Sequence, residues 1–125
     1  MKVYIAGPIS GPSQEAVDKN RTAFHKAAAI LQAEYHTPLN PAHLPDGLSE
    51  ADYMAICMPM LMVCDCILLL PGWETSTGAR VERDMAEKIG MRIVHDWPRG
   101  VEFTRHLAAI LREPLCQSAP QKPGD

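Results

Sequence analysis

At 125 residues the chain is long enough to bury one hydrophobic core and too short for two. Its apolar fraction of 46% and charged fraction of 22% are those of a globular protein, and a net charge of −3 with scattered basic residues argues against binding polymeric nucleic acid. No apolar run reaches the length of a membrane span and no signal-peptide pattern opens the chain, so a cytoplasmic protein that avoids membranes is predicted.

The four cysteines, Cys57, Cys64, Cys66 and Cys116, read as buried thiols rather than a disulfide framework. The histidines show no metal-ligand spacing, and neither a metal nor another cofactor is expected.

Lys2 to Ala6 reads as a first strand, left by the loop Gly7-Pro8-Ile9-Ser10-Gly11-Pro12. Two glycines and a serine let backbone approach a ligand while Pro8 and Pro12 stiffen the loop, although the same composition suits a plain connection. Ser13 caps a helix running to about Glu34, with Ala16, Val17, Phe24, Ala27, Ala28 and Leu31 at helical spacing. His36 to Leu39 is a short second strand. Asn40 to Gly47 is too rich in breakers for regular structure; Asn40, His43 and Asp46 are its polar candidates, with a turn-forming role favoured for Asp46.

Ser49 caps the next helix, with Glu50 and Asp52 in its first turn, and the helix runs toward Val63. Met54, Met58, Met60 and Met62 read as plastic packing or as a surface for a partner, and Pro59 predicts a kink.

Cys66 to Leu70 is a continuous apolar run, a strand buried on both faces, and Pro71-Gly72 turns out of it. A helix begins near Ser76 or Thr77, with Val81, Met85, Ala86 and Ile89 as its apolar face. Ser76, Thr77 and Gly78 then present free N–H groups suited to an anion. Glu82, about one and a half turns further in, either points back toward that ligand or is a solvated helix glutamate. Met91 to His95 is a fourth strand, Asp96 to Gly100 a turn, Val101 to Arg112 a closing helix, and the chain from Pro114 onward a disordered tail. A single domain over 1–113 is expected, with 114–125 as the tail.

This alternation predicts an α/β fold: a doubly wound three-layer sandwich around a mainly parallel sheet of four to five strands in the order 2-1-3-4, flavodoxin-like. The switch point between strands 1 and 3 would bring the loop starting at Gly7 beside the loop running from Gly72 to Gly78, a cradle for a phosphorylated small molecule.

Val3 to Gly11, Asn40-Pro41-Ala42, Cys64-Asp65, Leu69 to Glu74, Ser76, Gly78-Ala79 and Glu82 together resemble a family of domains of unknown function (DUF4406) common in phages and prophages. That family is similar to the nucleoside 2-deoxyribosyltransferases and the deoxynucleoside 5′-monophosphate N-glycosidases. The resemblance implies Glu82 as a nucleophile toward C1′ of the sugar and Tyr4 as the residue that orients it. Ser76 stands where the monophosphate glycosidases carry a phosphate-binding serine and the nucleoside transferases an aspartate. Gly7, Ser10, Ser76 and Gly78 would surround the phosphate, with Pro8 and Gly11 completing the first loop. Trp73 either covers the base or sugar or packs its own loop, and Arg80 pairs with the phosphate or a partner subunit. Those enzymes also carry a second acid on the preceding helix, where this chain has Ile56, Cys57 and Met58, so Asp65 or Asp52 would have to substitute. Asp65 suits a structural role at the far end of its strand.

The expected activity is an N-glycosidase or deoxyribosyltransferase acting on (deoxy)nucleoside 5′-monophosphates, in a homo-oligomer. The alternatives are a non-catalytic nucleotide sensor and a phage-type accessory protein.

Overall fold

The computed structural model describes residues 1–95. In chain order these form β1 (Lys2–Ala6), α1 (Gln14–Ala33), β2 (Thr37–Leu39), α2 (Glu50–Met62), β3 (Cys66–Leu69), α3 (Thr77–Lys88) and β4 (Arg92–Val94). Two short 3₁₀ turns, Pro41–His43 and Trp73–Thr75, lie between them. The turn expected at 96–100, the closing helix at 101–112, the tail at 114–125 and Cys116 lie outside the described residues.

Each of these three α-helices starts at a serine whose hydroxyl accepts an otherwise unpaired backbone N–H. Ser13 takes that of Ala16 at 3.1 Å, and Ser76 that of Ala79 at 3.2 Å. Ser49 takes that of Asp52 at 3.1 Å, while the Asp52 carboxylate accepts from the Ser49 N–H at 3.0 Å in a reciprocal capping box. A cap of this kind contributes about 1 kcal/mol.

The four strands pair in parallel in the order β2-β1-β3-β4. Tyr4 stands opposite Leu39 on one side and Ile67 on the other, so β1 lies at the centre of the site-bearing half of the sheet. From Val3 through Ala6, and throughout β3, every residue is buried, which requires a layer on each face. Val3, Ile5, Cys66 and Leu68 face Phe24, Ala27 and Leu31 of α1. Tyr4, Ala6, Ile67 and Leu69 face Cys57 and Leu61 of α2 and Ala79 and Ala86 of α3. The result is a three-layer, flavodoxin-like sandwich. Among the described residues, no helix is long and apolar enough to cross a membrane.

Several boundaries differ from expectation. His36, Leu70, Met91 and His95 flank their strands rather than belonging to them; the Leu70 N–H still closes on the Ala6 carbonyl at 2.8 Å before the chain turns at Gly72. The segment after β2 is not wholly irregular, because Asn40 accepts from the Ala42 N–H at 3.0 Å and Pro41 fixes the first torsion of a 3₁₀ turn. Val81 is 44% exposed, so it does not belong to the inward face of α3. That face is Ala79, Glu82 and Ala86, with Met85 and Ile89 partly buried beside it. Of the methionines on α2, Met58 and Met60 pack against the core, while Met62 is exposed.

Candidate functional site

The carboxyl ends of parallel strands leave a crevice where the chain departs in opposite directions, here between β1 and β3. A cavity of about 300 Å³ lies there, at the small end of ligand-binding pockets. Its floor is Tyr4 to Ala6 of β1 and Gly7, which follows the strand. One wall is the start of α3 with Thr75 to Ala79 and Glu82, and another is the α2 face of Glu50, Tyr53, Met54 and Cys57. Val17, Arg21 and Phe24 of α1, together with Pro41 and Asp46, complete it.

Glu82 is 6% exposed, yet it lines this cavity. The Tyr4 hydroxyl, itself fully buried, donates to Glu82 Oε2. Burial pushes the Glu82 carboxyl up to about 7, and the hydrogen bond from Tyr4 acts against that shift by favouring the anion. Burial, and then the neighbouring Glu82 charge, push the Tyr4 phenol above its ordinary range, so it remains a donor at every working pH. The Cys57 thiol is pushed up by burial, with the Glu82 charge adding and a hydrogen bond with Tyr4 opposing. It therefore stands in the site as a neutral group.

The α3 N-terminus forms because Gly72, with φ of +87°, turns the chain out of β3, and Thr75 Oγ1 donates to the Gly72 carbonyl at 2.7 Å. The first N–H groups of an α-helix have no carbonyl partner within it. Ser76 takes the one from Ala79, which leaves those of Thr77 and Gly78 at the cavity wall. A Cβ placed on Gly78 would meet nothing within 4 Å. Asn20 pins the opposing loop by donating to the Ile9 and Ser10 carbonyls at 3.2 and 3.3 Å.

Of the residues singled out from sequence, Tyr4, Gly7, Ser10, Ser76, Gly78 and Glu82 line one cavity. Pro8, Gly11, Trp73 and Arg80 do not. Pro8 packs beside Gly72, and the space beside Gly11 is filled by Ala16, whose Cβ would lie 2.9 Å from an added Cβ. Trp73 packs against the core on the α2 and α3 side, and Arg80 is exposed. Asn40 and His43 stay out of the cavity; Asn40 also bonds His25 at 3.1 Å, and the His43 ring packs on that of His25.

Neither proposed substitute for the second acid reaches the site. Asp52 is held in its capping box, and Asp65 accepts from the Lys2 N–H at 2.9 Å at the amino end of the sheet. Among the described residues, the acids that line the cavity besides Glu82 are Asp46 and Glu50. Asp46 was one of the polar candidates of the loop after β2, with a turn-forming role favoured, and the cavity lining bears out the candidate. Glu50 had suggested only a complement to the helix dipole, although Glu50, Tyr53, Met54 and Cys57 fall on one helical face. Arg21 carried a signal too: it interrupts the apolar stripe of Val17 and Phe24 on α1. Among the described residues, no three His, Cys, Asp or Glu side chains gather as a metal site.

The model of the family described as Domain of unknown function (DUF4406) matches residues 1–95. A comparison with curated proteins found no match.

Proposed function

We propose that the chain, which belongs to the DUF4406 family of domains of unknown function, breaks the N-glycosidic bond of (deoxy)nucleoside 5′-monophosphates with Glu82 as nucleophile. The observation that carries this reading is the buried Tyr4–Glu82 pair at a cavity wall, about one and a half turns inside a helix N-terminus. The resemblance to the N-glycosidases and deoxyribosyltransferases supports it independently.

The chemistry follows from the residues present. The phosphate binds the Thr77 and Gly78 N–H groups and the Ser76 hydroxyl proton, whose oxygen already caps α3. The Glu82 carboxylate attacks C1′, the C1′–N bond breaks, and its electron pair leaves with the base, which takes a proton from water. Water then attacks C1′ of the glycosyl ester, loses a proton to solvent and releases the carboxylate; in the transfer reaction a ring nitrogen of a second base attacks instead and its N–H proton is lost in the same way. Tyr4 holds Glu82 in place by donating to one oxygen throughout.

A second reading is a nucleotide sensor. Cys57 favours it, because it is the cavity-lining residue of the three, Ile56, Cys57 and Met58, that stand where the enzymes the family resembles carry an acid, and its thiol is neutral. Chromatography of free base released from deoxynucleoside monophosphates and matching nucleosides, by wild type and Glu82→Ala, separates the two. Release from monophosphates that vanishes in the variant supports the enzyme. Binding without release from any substrate leaves the sensor.

A further inference from the structure

Arg21 is the one lysine or arginine among the described residues that lines the cavity, and its environment is unusual. Its Nη2 donates to Asp46 Oδ1 at 2.6 Å, while its Nε is shut off from solvent and has no hydrogen-bond partner among the described residues. A shielded donor without an acceptor is unfavourable, and native structures rarely keep one without reason. Among the described residues, the ion pair Arg21 makes is to a carboxylate whose side chain is 79% exposed, and exposed pairs are weak. The guanidinium is therefore poised to turn toward an acceptor brought in by a ligand.

Topology says which part of the ligand that is. Arg21 comes from α1, which covers the opposite sheet face from α3, and Asp46 follows β2. Ser76 to Gly78 follow β3, and β1 lies between the two strands. The Arg21–Asp46 pair, joined to the β2 side by Asp46, therefore belongs to the other side of β1 from the helix N-terminus that follows β3. A phosphate at α3 and a sugar over Glu82 leave the base at the far end. That end carries Asp46 and Glu50 and so disfavours a second anion, but a neutral heterocycle suits a paired donor and acceptor.

We propose that Arg21 and Asp46 form a nucleobase-recognition subsite, Arg21 donating to a ring or carbonyl acceptor and Asp46 accepting from a neighbouring N–H of the same base edge. This rests on the nucleotide reading above and extends it to the end of the ligand that reading leaves unassigned. Neither residue touches the reacting atoms; together they set which base is held.

The test is calorimetric titration of the full chain carrying Glu82→Gln, which stops turnover, with deoxynucleoside 5′-monophosphates and with 2-deoxyribose 5-phosphate, which lacks a base. Adding Arg21→Gln is expected to weaken at least one nucleotide by about 10- to 100-fold, while 2-deoxyribose 5-phosphate binds as before and thereby reports an intact fold. Arg21→Lys, which keeps the charge and most of the stem, should lose the same preference because it lacks the planar fork. Equal weakening of both ligands in Arg21→Lys would assign Arg21 to the phosphate, and no weakening would make it a structural ion pair; either overturns the inference alone. If the Glu82→Gln host binds neither ligand, the nucleotide reading falls and this inference with it.

Discussion

The Tyr4 hydroxyl reaches Glu82 across 78 residues of chain, from the central strand to the first turns of α3. Both side chains are shielded from solvent, so the bond is made in a medium where electrostatic interactions are strong and a lost partner is not replaced by water. Parallel pairing of β1 with β3 brings the two elements together, because α3 must pack back over the sheet that β3 joins. The pair is thus a product of the fold's topology, and it presents the cavity with an anchored carboxylate.

Glu82→Gln should keep the fold, since the amide oxygen still accepts from Tyr4, and should lower base release by at least about 10⁴-fold. Tyr4→Phe removes only the orienting hydrogen bond and should cost about 10- to 100-fold. Single-turnover assays on a deoxynucleoside monophosphate measure both. A Tyr4→Phe loss as large as that of Glu82→Gln would show that the tyrosine does more than orient.

The raised Glu82 pKa makes both activity and stability depend on pH. The nucleophile must be ionised, so kcat/KM should rise through an apparent pKa of about 7 and then level. In Tyr4→Phe that midpoint should move upward, because the hydrogen bond favouring the anion is gone.

Stability runs the other way. Folding raises the Glu82 pKa from 4.5 to about 7, so the folded state binds the proton more tightly. The stability from this group is complete below about pH 4.5 and falls as pH rises through 7, by about 3 kcal/mol at most. Urea unfolding at pH 5 and pH 8 should show that loss in wild type but not in Glu82→Gln.

The fold was legible because its rules are local. Fully buried parallel strands read as continuous apolar runs, as Cys66 to Leu69 does, and the three serine caps mark where helices begin. The site was legible only in part. A buried carboxylate on a helix is polar in sequence, so the inward face of α3 was drawn through Val81, next to the Glu82 that occupies it. Arg21 and Glu50 were missed, and Asp46 was read first as a turn residue, for a related reason: a charge at a helical or turn position ordinarily means solvent, and only the meeting of α1, α2 and the segment after β2 gives these residues a common cavity. The resemblance supplied Tyr4, which no periodicity singles out, and gave Glu82, already raised by its place in the helix, the role of nucleophile.

Tyr35 ends α1 with φ of +64°, a left-handed conformation that a side chain disfavours by about 1–2 kcal/mol. The turn is fixed by the His36 N–H donating to the Leu31 carbonyl at 2.9 Å, the position where helices usually place glycine. The tyrosine ring is 95% exposed, so removing it forfeits no burial. Tyr35→Gly should therefore raise stability by about 1 kcal/mol after the entropy of glycine is counted, read as a higher urea midpoint with an unchanged slope. A fall in the midpoint would mean that the ring makes stabilising contacts.

Two glycines at the cavity should respond in opposite directions to the same change. A Cβ on Gly7 would stand 3.0 Å from Leu70 Cβ and 3.6 Å from the Phe24 ring, where β1 and β3 close on α1. Gly7→Ala should lower stability by about 1–3 kcal/mol through overpacking. A Cβ on Gly78 meets nothing, and alanine is the better helix former, so Gly78→Ala should raise stability by about 0.5–1 kcal/mol. The same methyl group sits beside the N–H groups offered to a phosphate, so nucleotide affinity should fall while the melting temperature rises. Thermal melts and titration of the two variants check this, and a Gly78→Ala protein that binds nucleotide as tightly as wild type would remove the α3 N-terminus from the ligand site.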